Sequence, residues 1–235
     1  MITEYSEFSD IFNKENLSVS MEQYESFKKY AALLVEWNQK MNLTAITDPY
    51  GITVKHFLDS VLPLKFLNIP ENASLIDVGT GAGFPGLPLK IMRPDIVLTL
   101  LDSLNKRVNF LSEVCKALDL DVSCIHARAE EFGRNENYRG QYDFAAARAV
   151  APMPVLTEYC LPYIKIGGTF AALKGRSENY KESENAVKIL GGEISNVTEY
   201  FLPDGDGRVL ICVRKIKETP PKYPRNSGQI SKKPL

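Results

Sequence analysis

The apolar positions change period near residue 74. Before it, the stretch YESFKKYAALLVEWNQKMNL sets Tyr24, Phe27, Ala31, Leu34 and Val35 at helical spacing. Trp37, Met41 and Leu43 carry the apolar content past the helix end, and Trp37 reads as a core anchor. Pro49 marks a turn, and VKHFLDSVLPLKFL forms a shorter amphipathic unit interrupted by Pro63. From Ser74 onward, short apolar runs alternate with helical stripes. Leu75–Val78, Ile96–Leu101, Val122–Ile125, Tyr142–Ala147 and Gly168–Leu173 read as strands. Leu87–Met92, Leu104–Leu118 and Glu178–Leu190 read as helices, the last ended by Gly191 and Gly192. Residues 153–163 are helical or irregular, broken by Pro162. Ser195–Leu202 and Arg208–Arg214 are strands joined by PDGDG, a tight hairpin.

This alternation predicts an α/β fold, a doubly wound and mostly parallel sheet covered on both faces. The terminal hairpin adds an antiparallel strand. The chain divides into a helical N-terminal cap (1–70), an α/β domain (71–217) and a basic tail (218–235). Such a sheet binds its ligand outside the strand C-termini, at the point where strand order reverses. That rule brings the glycine loop after the first strand, Asp102, Ala127–Glu130 and Arg148 to one edge.

Composition narrows the picture. The 235 residues carry a net charge of -1, so no bulk charge coats a polyanion. The four cysteines are widely spaced and read as small buried hydrophobes of a reducing compartment. Two histidines do not assemble a zinc cluster, and no metal site is expected. The opening MITEYSEFSD is polar and acidic, unlike a signal peptide. No apolar run approaches the roughly 20 residues that span a bilayer. A cytoplasmic, monomeric protein without a membrane partner is the expectation.

The stretch IDVGTGAGFPGL holds the first chemistry. Gly81, Gly83 and Gly86 match GxGxxG, which cradles a dinucleotide pyrophosphate. Yet Asp77 would set a carboxylate beside those phosphates, an unfavourable pairing of like charges. S-adenosylmethionine carries a sulfonium and an ammonium there instead. The pattern DxGxGxG therefore favours a methyl donor, with Asp77 on the ammonium side and Gly79 and Gly81 admitting close backbone approach. Asp77 can also cap the loop, and the two roles can coexist. Asp102, ending LTLLDS, can accept both ribose hydroxyls or cap the next helix. Glu130, in HARAEEF, can meet the adenine edge or support a helix dipole. Arg148 can touch the donor, steer RNA phosphate or guanine O6, or pair with Glu130 or Asp143. Lys174 in ALKGR is a candidate phosphate or purine contact, and equally a solvated lysine. His56 reads as a packing residue, and Arg128 as a residue of the rim. The tail concentrates Lys215, Lys217, Lys222, Arg225, Lys232 and Lys233 against Glu218, a strip suited to RNA phosphates.

The chain resembles one family over most of its length. The words that carry the resemblance are WNQKMNLTAI with HFLDS, IDVGTGAGFPGLPL, LLDSLNKRVNFL, RAEEF, FAAARAVAPMPVLTEYCLPYIKIGG, AALKG and TPPKYPRNSGQISKKPL. They are similar to the bacterial 16S ribosomal RNA (guanine-N7) methyltransferase G family, also called glucose-inhibited division protein B. The resemblance implies the class I S-adenosylmethionine-dependent methyltransferase fold with a seven-stranded sheet. It implies methylation of guanine N7 at guanosine 527 of 16S rRNA, in the decoding region of the small ribosomal subunit. The implied donor contacts are Gly79, Phe84, Ala129, Glu130 and Arg148. His56 is implied to hold the cap against the loop or line the RNA entrance. Asn226 and Ser227 follow Arg225 where the family commonly has a second arginine, a small loss of phosphate contact. Guanine N7 offers an in-plane lone pair and no proton, so attack needs no general base and no covalent intermediate. The competing readings are a methyltransferase for another RNA site, a noncatalytic RNA-binding or assembly protein, and a nicotinamide oxidoreductase.

Overall fold

The computed structural model describes residues 2–235. Helices α1 (Tyr5–Lys14) and α2 (Met21–Met41) open the chain. At the start of α2 the Ser20 hydroxyl accepts from the Gln23 amide at 3.1 Å, and the Gln23 side chain accepts from the Ser20 amide at 2.9 Å. This reciprocal cap satisfies donors that a helix start leaves open. Helix α2 ends where Asn42 turns left-handed, with φ 48°. Phe8, Phe12, Phe27 and Phe57 pack as one aromatic layer beneath it, and Trp37 lies against Phe110 at 5.6 Å.

A composite helical rod follows. It runs through α3 (Pro49–Gly51), a π-helical stretch (Ile52–Leu58), α4 (Asp59–Val61) and a 3-10 turn (Leu62–Lys65). Pro63 does not break the unit. It falls in the first turn of the 3-10 segment, where a missing amide hydrogen costs little.

Seven strands form one sheet: β1 (Ser74–Val78), β2 (Val97–Asp102), β3 (Val122–His126), β4 (Tyr142–Arg148), β5 (Ile164–Gly175), β6 (Gly192–Phe201) and β7 (Gly207–Lys215). Their order is β3-β2-β1-β4-β5-β7-β6, parallel from β3 to β5, with β7 antiparallel between β5 and β6. Side chains alternate across this sheet. On β1, Leu75 joins the core shared with the N-terminal helices, α5 (Gly86–Met92) and α6 (Asn105–Ala117). Ile76 and Val78 join the opposite core with α8 (Met153–Cys160) and α9 (Glu184–Ile189). Apolar burial on both faces is what a central parallel strand requires. No helix among the described residues is long and apolar enough to cross a membrane.

Two elements differ from the sequence expectation. The helix expected over Glu178–Leu190 is a 3-10 turn (Tyr180–Ser183) followed by α9. Glu178 is drawn away to accept from the Met153 amide at 2.8 Å and to pair with Lys174 at 3.0 Å. The basic tail, expected as a strip for RNA phosphates, spends part of its charge on internal packing. Lys215 is buried, its ammonium held by the carbonyls of Leu161 and Leu190 and by the Thr219 hydroxyl. Arg139 clamps the Thr219 and Tyr223 carbonyls at 2.6 and 2.8 Å. Arg225 forks onto the buried Glu158 carboxylate at 2.7 and 3.0 Å, which seats α10 (Ser227–Lys232) beside α8. Charge-assisted bonds of this kind contribute about 1.5–3 kcal/mol. Glu158→Gln is therefore expected to lower the melting temperature and open the tail to limited proteolysis. Cleavage kinetics equal to those of the wild-type chain would refute this role.

Candidate active site

The loop after β1 is built around a buried carboxylate. Asp77 is fully buried, and its Oδ2 accepts from the Thr80 hydroxyl at 2.6 Å and the Gly86 amide at 2.8 Å. Its Oδ1 has no hydrogen-bond partner. Burial pushes this carboxyl up to about 6, against the pull of Thr80, Gly86 and Arg148. Gly83 has φ 101°, and a Cβ there would lie 2.5 Å from the Tyr30 hydroxyl, so only glycine fits. The Tyr30 hydroxyl in turn donates to the Ala82 carbonyl and fastens α2 to the loop.

Asp102 ends β2 and is 2 % exposed. Its Oδ2 accepts from the Gly81 amide and its Oδ1 from the Leu104 amide, both at 2.9 Å. One carboxylate thus ties the glycine loop to the start of α6. Glu130 is buried in the first turn of α7 (Ala129–Phe132), 3.9 Å from the exposed Arg128. The Tyr163 hydroxyl donates to the Ala129 carbonyl at 2.6 Å and fixes that turn.

Arg148 ends β4. It pairs with neither Glu130 nor Asp143. Its Nη1 donates to the Lys55 carbonyl at 3.0 Å and to Asp59 Oδ2 at 3.3 Å. Its guanidinium lies over the Phe84 ring at 4.7 Å. Phe84 also stacks on His56 at 4.6 Å and 18°. The arginine, the phenyl ring and the imidazole therefore pack together as one wall where the N-terminal helices meet the loop. Asp59 also binds Arg208 Nε at 3.2 Å from β7, so one buried carboxylate serves two arginines.

His56 Nε2 lies 2.8 Å from the Thr44 hydroxyl, and its Nδ1 is buried without a partner. Burial, then Arg148, lowers this imidazole to about 4. Because the folded value lies below the usual 6.5, its stability contribution is complete above pH 6.5 and is lost as pH falls through 4. An NMR titration should find the His56 ring neutral at pH 6 and half-charged near pH 4; a midpoint near 6.5 would contradict the buried wall.

Two adjoining cavities open at this edge. The smaller, about 160 Å3, is lined by Val78, Gly79, Asp102, Ala129, Glu130 and Val150, with Tyr159 and Ser227 closing it. The larger, about 460 Å3, is lined by Thr44, His56, Gly81, Phe84, Arg107 and Arg148, and shares Gly79, Asp102 and Val150 with the first. A Cβ on Gly79 would meet Val150 at 2.9 Å, so that glycine keeps the junction open. The sequence-marked Asp102, Ala129, Glu130, Phe84 and Arg148 converge here. Lys174 is neither solvated nor free: it is buried, bound to Glu178 and to the Ala151 carbonyl. Lys222 is exposed beside the Tyr223 ring. Arg225 spends its guanidinium on Glu158 rather than reaching outward. Sequence reading missed Asp59, Val150, Tyr159 and Ser227. Only Asp59, beside His56 in HFLDS, had a local signal.

The strand order with an antiparallel seventh strand, the glycine loop after β1 and a carboxylate ending β2 define the class I S-adenosylmethionine-dependent methyltransferase fold. Among solved structures, geranyl diphosphate C-methyltransferase from Streptomyces coelicolor A3(2) matches with TM-score 0.55 and 11% identity, over 68% of this chain and 79% of that one. TrmN from Thermus thermophilus matches with TM-score 0.53 and 16% identity, over 70% of this chain and 53% of that one. At such identities the likeness establishes the fold alone. The family model for GidB, rRNA small subunit methyltransferase G, matches residues 23–204, and the chain belongs to that family. A curated ribosomal RNA small subunit methyltransferase G from Acetivibrio thermocellus is 53% identical over 217 residues, 91% of this chain and 89% of the relative. One from Streptococcus pneumoniae (strain R6) is 47% identical over 232 residues, 97% and 98% of the two chains.

Proposed function

We propose that this chain transfers a methyl group from S-adenosyl-L-methionine to N7 of guanosine 527 in 16S rRNA, releasing S-adenosyl-L-homocysteine. Family membership makes it an S-adenosylmethionine-dependent methyltransferase of small-subunit rRNA. The nucleotide and the ring atom are the proposed refinement. The observation that carries the site is the pair of adjoining cavities at the glycine loop, whose walls hold Gly79, Gly81, Phe84, Asp102, Ala129, Glu130 and Arg148 within the family match.

The residues fit the donor. The smaller cavity offers Asp102 for ribose hydroxyls and Ala129 with Glu130 for an adenine edge. The open junction at Gly79, with Gly81 beside it, allows a ligand to approach the backbone. Asp77, fully buried and outside the lining of both cavities, holds the loop through Thr80 and Gly86, and its charge would act on a bound ammonium or sulfonium only across that loop. When bound, S-adenosylmethionine supplies a sulfonium methyl group, and the C–S electron pair stays on sulfur as the N7–C bond forms.

The chain's own residues orient and exclude. Phe84, packed against both His56 and Arg148, gives the larger cavity a rigid wall. Arg148 is held on one side by Lys55 and Asp59, so its charge is fixed before RNA arrives. Such preorganisation favours one alignment of reacting groups. Neutral His56 is not needed as a base, because N7 carries no proton. Arg128 and Lys222, both exposed, are suited to RNA phosphates. Arg225 acts by seating the tail, whose Ser227 reaches the smaller cavity.

The test is incubation with methyl-labelled donor and three acceptors: free 16S rRNA, partly assembled particles and complete small subunits. Label in at least one small-subunit RNA is expected. Binding to those particles without label in any of them would favour the noncatalytic assembly reading.

A further inference from the structure

The cysteines are not four separate core fillers. Cys115 sits in the last turn of α6 and Cys124 in the middle of β3, and their sulfurs lie 3.9 Å apart. Cys160 and Cys212 belong to other clusters of the core, away from this pair. We propose that Cys115 and Cys124 form an oxidation site, at which hydrogen peroxide or a related peroxide converts the two thiols into a disulfide. Cys124 is the thiol that meets the peroxide, and Cys115 is the one that resolves the product.

Exposure assigns the two roles. β3 is an edge strand of the sheet, and Cys124 is half-buried there, whereas Cys115 is 6 % exposed. A peroxide therefore reaches Cys124 first. The hydrogen bond from Cys115 lowers the Cys124 thiol against the effect of burial, and Ser112 acts in the same sense. That favours the thiolate, the form that reacts with oxidants. Cys115 is itself pushed up, by its contact with Cys124 and by burial, and stays a thiol. Burial pushes Cys212 up to about 11 and holds Cys160 well above the usual thiol range.

The turn that joins the two elements keeps the sulfurs in reach of each other. The Leu118 amide donates to the Val114 carbonyl at 3.0 Å and the Leu120 amide to the Cys115 carbonyl at 2.9 Å, with Asp119 left-handed at φ 52°. The sulfurs close from 3.9 Å to about 2.05 Å when bonded. In the first step the Cys124 sulfur attacks one peroxide oxygen. The O–O bond breaks, one water leaves and a sulfenic acid remains on Cys124. The Cys115 sulfur then attacks the Cys124 sulfur, loses its proton and expels the hydroxyl as a second water. Two thiols give up two electrons and two protons, and one hydrogen peroxide becomes two waters. The bond ties the edge strand to α6 at the end of that helix away from the glycine loop.

The full chain is treated with hydrogen peroxide, alkylated under denaturing conditions and mapped by mass spectrometry. It should lose the mass of two hydrogens and yield one peptide pair linked through Cys115 and Cys124, with Cys160 and Cys212 alkylated. Dithiothreitol should restore the free thiols. The melting temperature of the oxidised chain should rise and fall back on reduction, because the link constrains the unfolded chain. In Cys115→Ser no disulfide can form, and Cys124 should accumulate sulfenic acid, trapped by dimedone, at least about tenfold above the wild-type chain. In Cys124→Ser, Cys115 should remain a free thiol at the same peroxide dose. Three results would overturn the proposal: Cys115 and Cys124 both alkylated as free thiols after peroxide, a link made through Cys160 or Cys212 instead, or no dimedone adduct on Cys124 in Cys115→Ser.

Discussion

Arg148→Ala is expected to lower single-turnover methyl transfer by roughly 10²–10³-fold, the usual effect of deleting one preorganised charged donor from a site. The guanidinium is the meeting point of cap, loop and sheet. It binds the Lys55 carbonyl and Asp59, covers the Phe84 ring, and lines the larger cavity. Its removal also leaves Asp59 with Arg208 alone, so the melting temperature should fall. The split between the two effects is measurable. Arg148→Lys restores charge but not the planar fork, and should recover stability more than rate. If Arg148→Ala transfers methyl at the wild-type rate, the residue is only a bracket for the cap.

Asp77→Asn should move stability and function in opposite directions. The carboxyl is pushed up to about 6 in the fold against its usual 3.8. A folded value above the unfolded one means that the stability contribution is full below pH 3.8 and lost as pH rises through 6. At pH 8 the buried charge therefore costs on the order of 1–3 kcal/mol, at about 1.36 kcal/mol per pKa unit. The amide keeps an oxygen for Thr80 and Gly86 and removes the charge. Asp77→Asn should raise the melting temperature at pH 8 and leave it nearly unchanged at pH 4. Donor affinity should drop by about 10–100-fold if the charge serves the ammonium, the value of a charge-assisted contact. Thermal melts at the two pH values and calorimetric titration with donor check both halves. Unchanged donor affinity with raised stability would leave Asp77 as a loop cap alone.

The local features were legible in the sequence and the long-range ones were not. The strands declare themselves through apolar runs of four to six residues, and the glycine loop through its spacing. Asp102 was legible because a carboxylate at a strand end sits at the ligand edge of any such sheet. The ambiguity it carried is explained by geometry: one oxygen serves the Gly81 amide and the other the Leu104 amide, so it also holds the turn. Arg148 was legible as a site residue but not its partner. Asp59 lies 89 residues away on the cap, and no local pattern links them. The tail misled for a related reason. A count of lysines and arginines reports charge, whereas Lys215 and Arg225 are fixed by carbonyls and by Glu158 from distant segments. The shortened α9 shows the same competition. Glu178 has helical propensity, but its carboxylate is worth more against Lys174 and the Met153 amide.

The proposed reaction places one methyl group on one guanine N7 in small-subunit RNA. N7-methylguanine is distinguished from other methylguanines by strand scission after borohydride reduction and aniline treatment. Particles lacking the modification, incubated with the wild-type chain and S-adenosylmethionine, should yield a single new scission at guanosine 527 of 16S rRNA, absent when donor or protein is omitted. A labelled methyl group on any other ring atom or nucleotide, with no scission at that position, would contradict it.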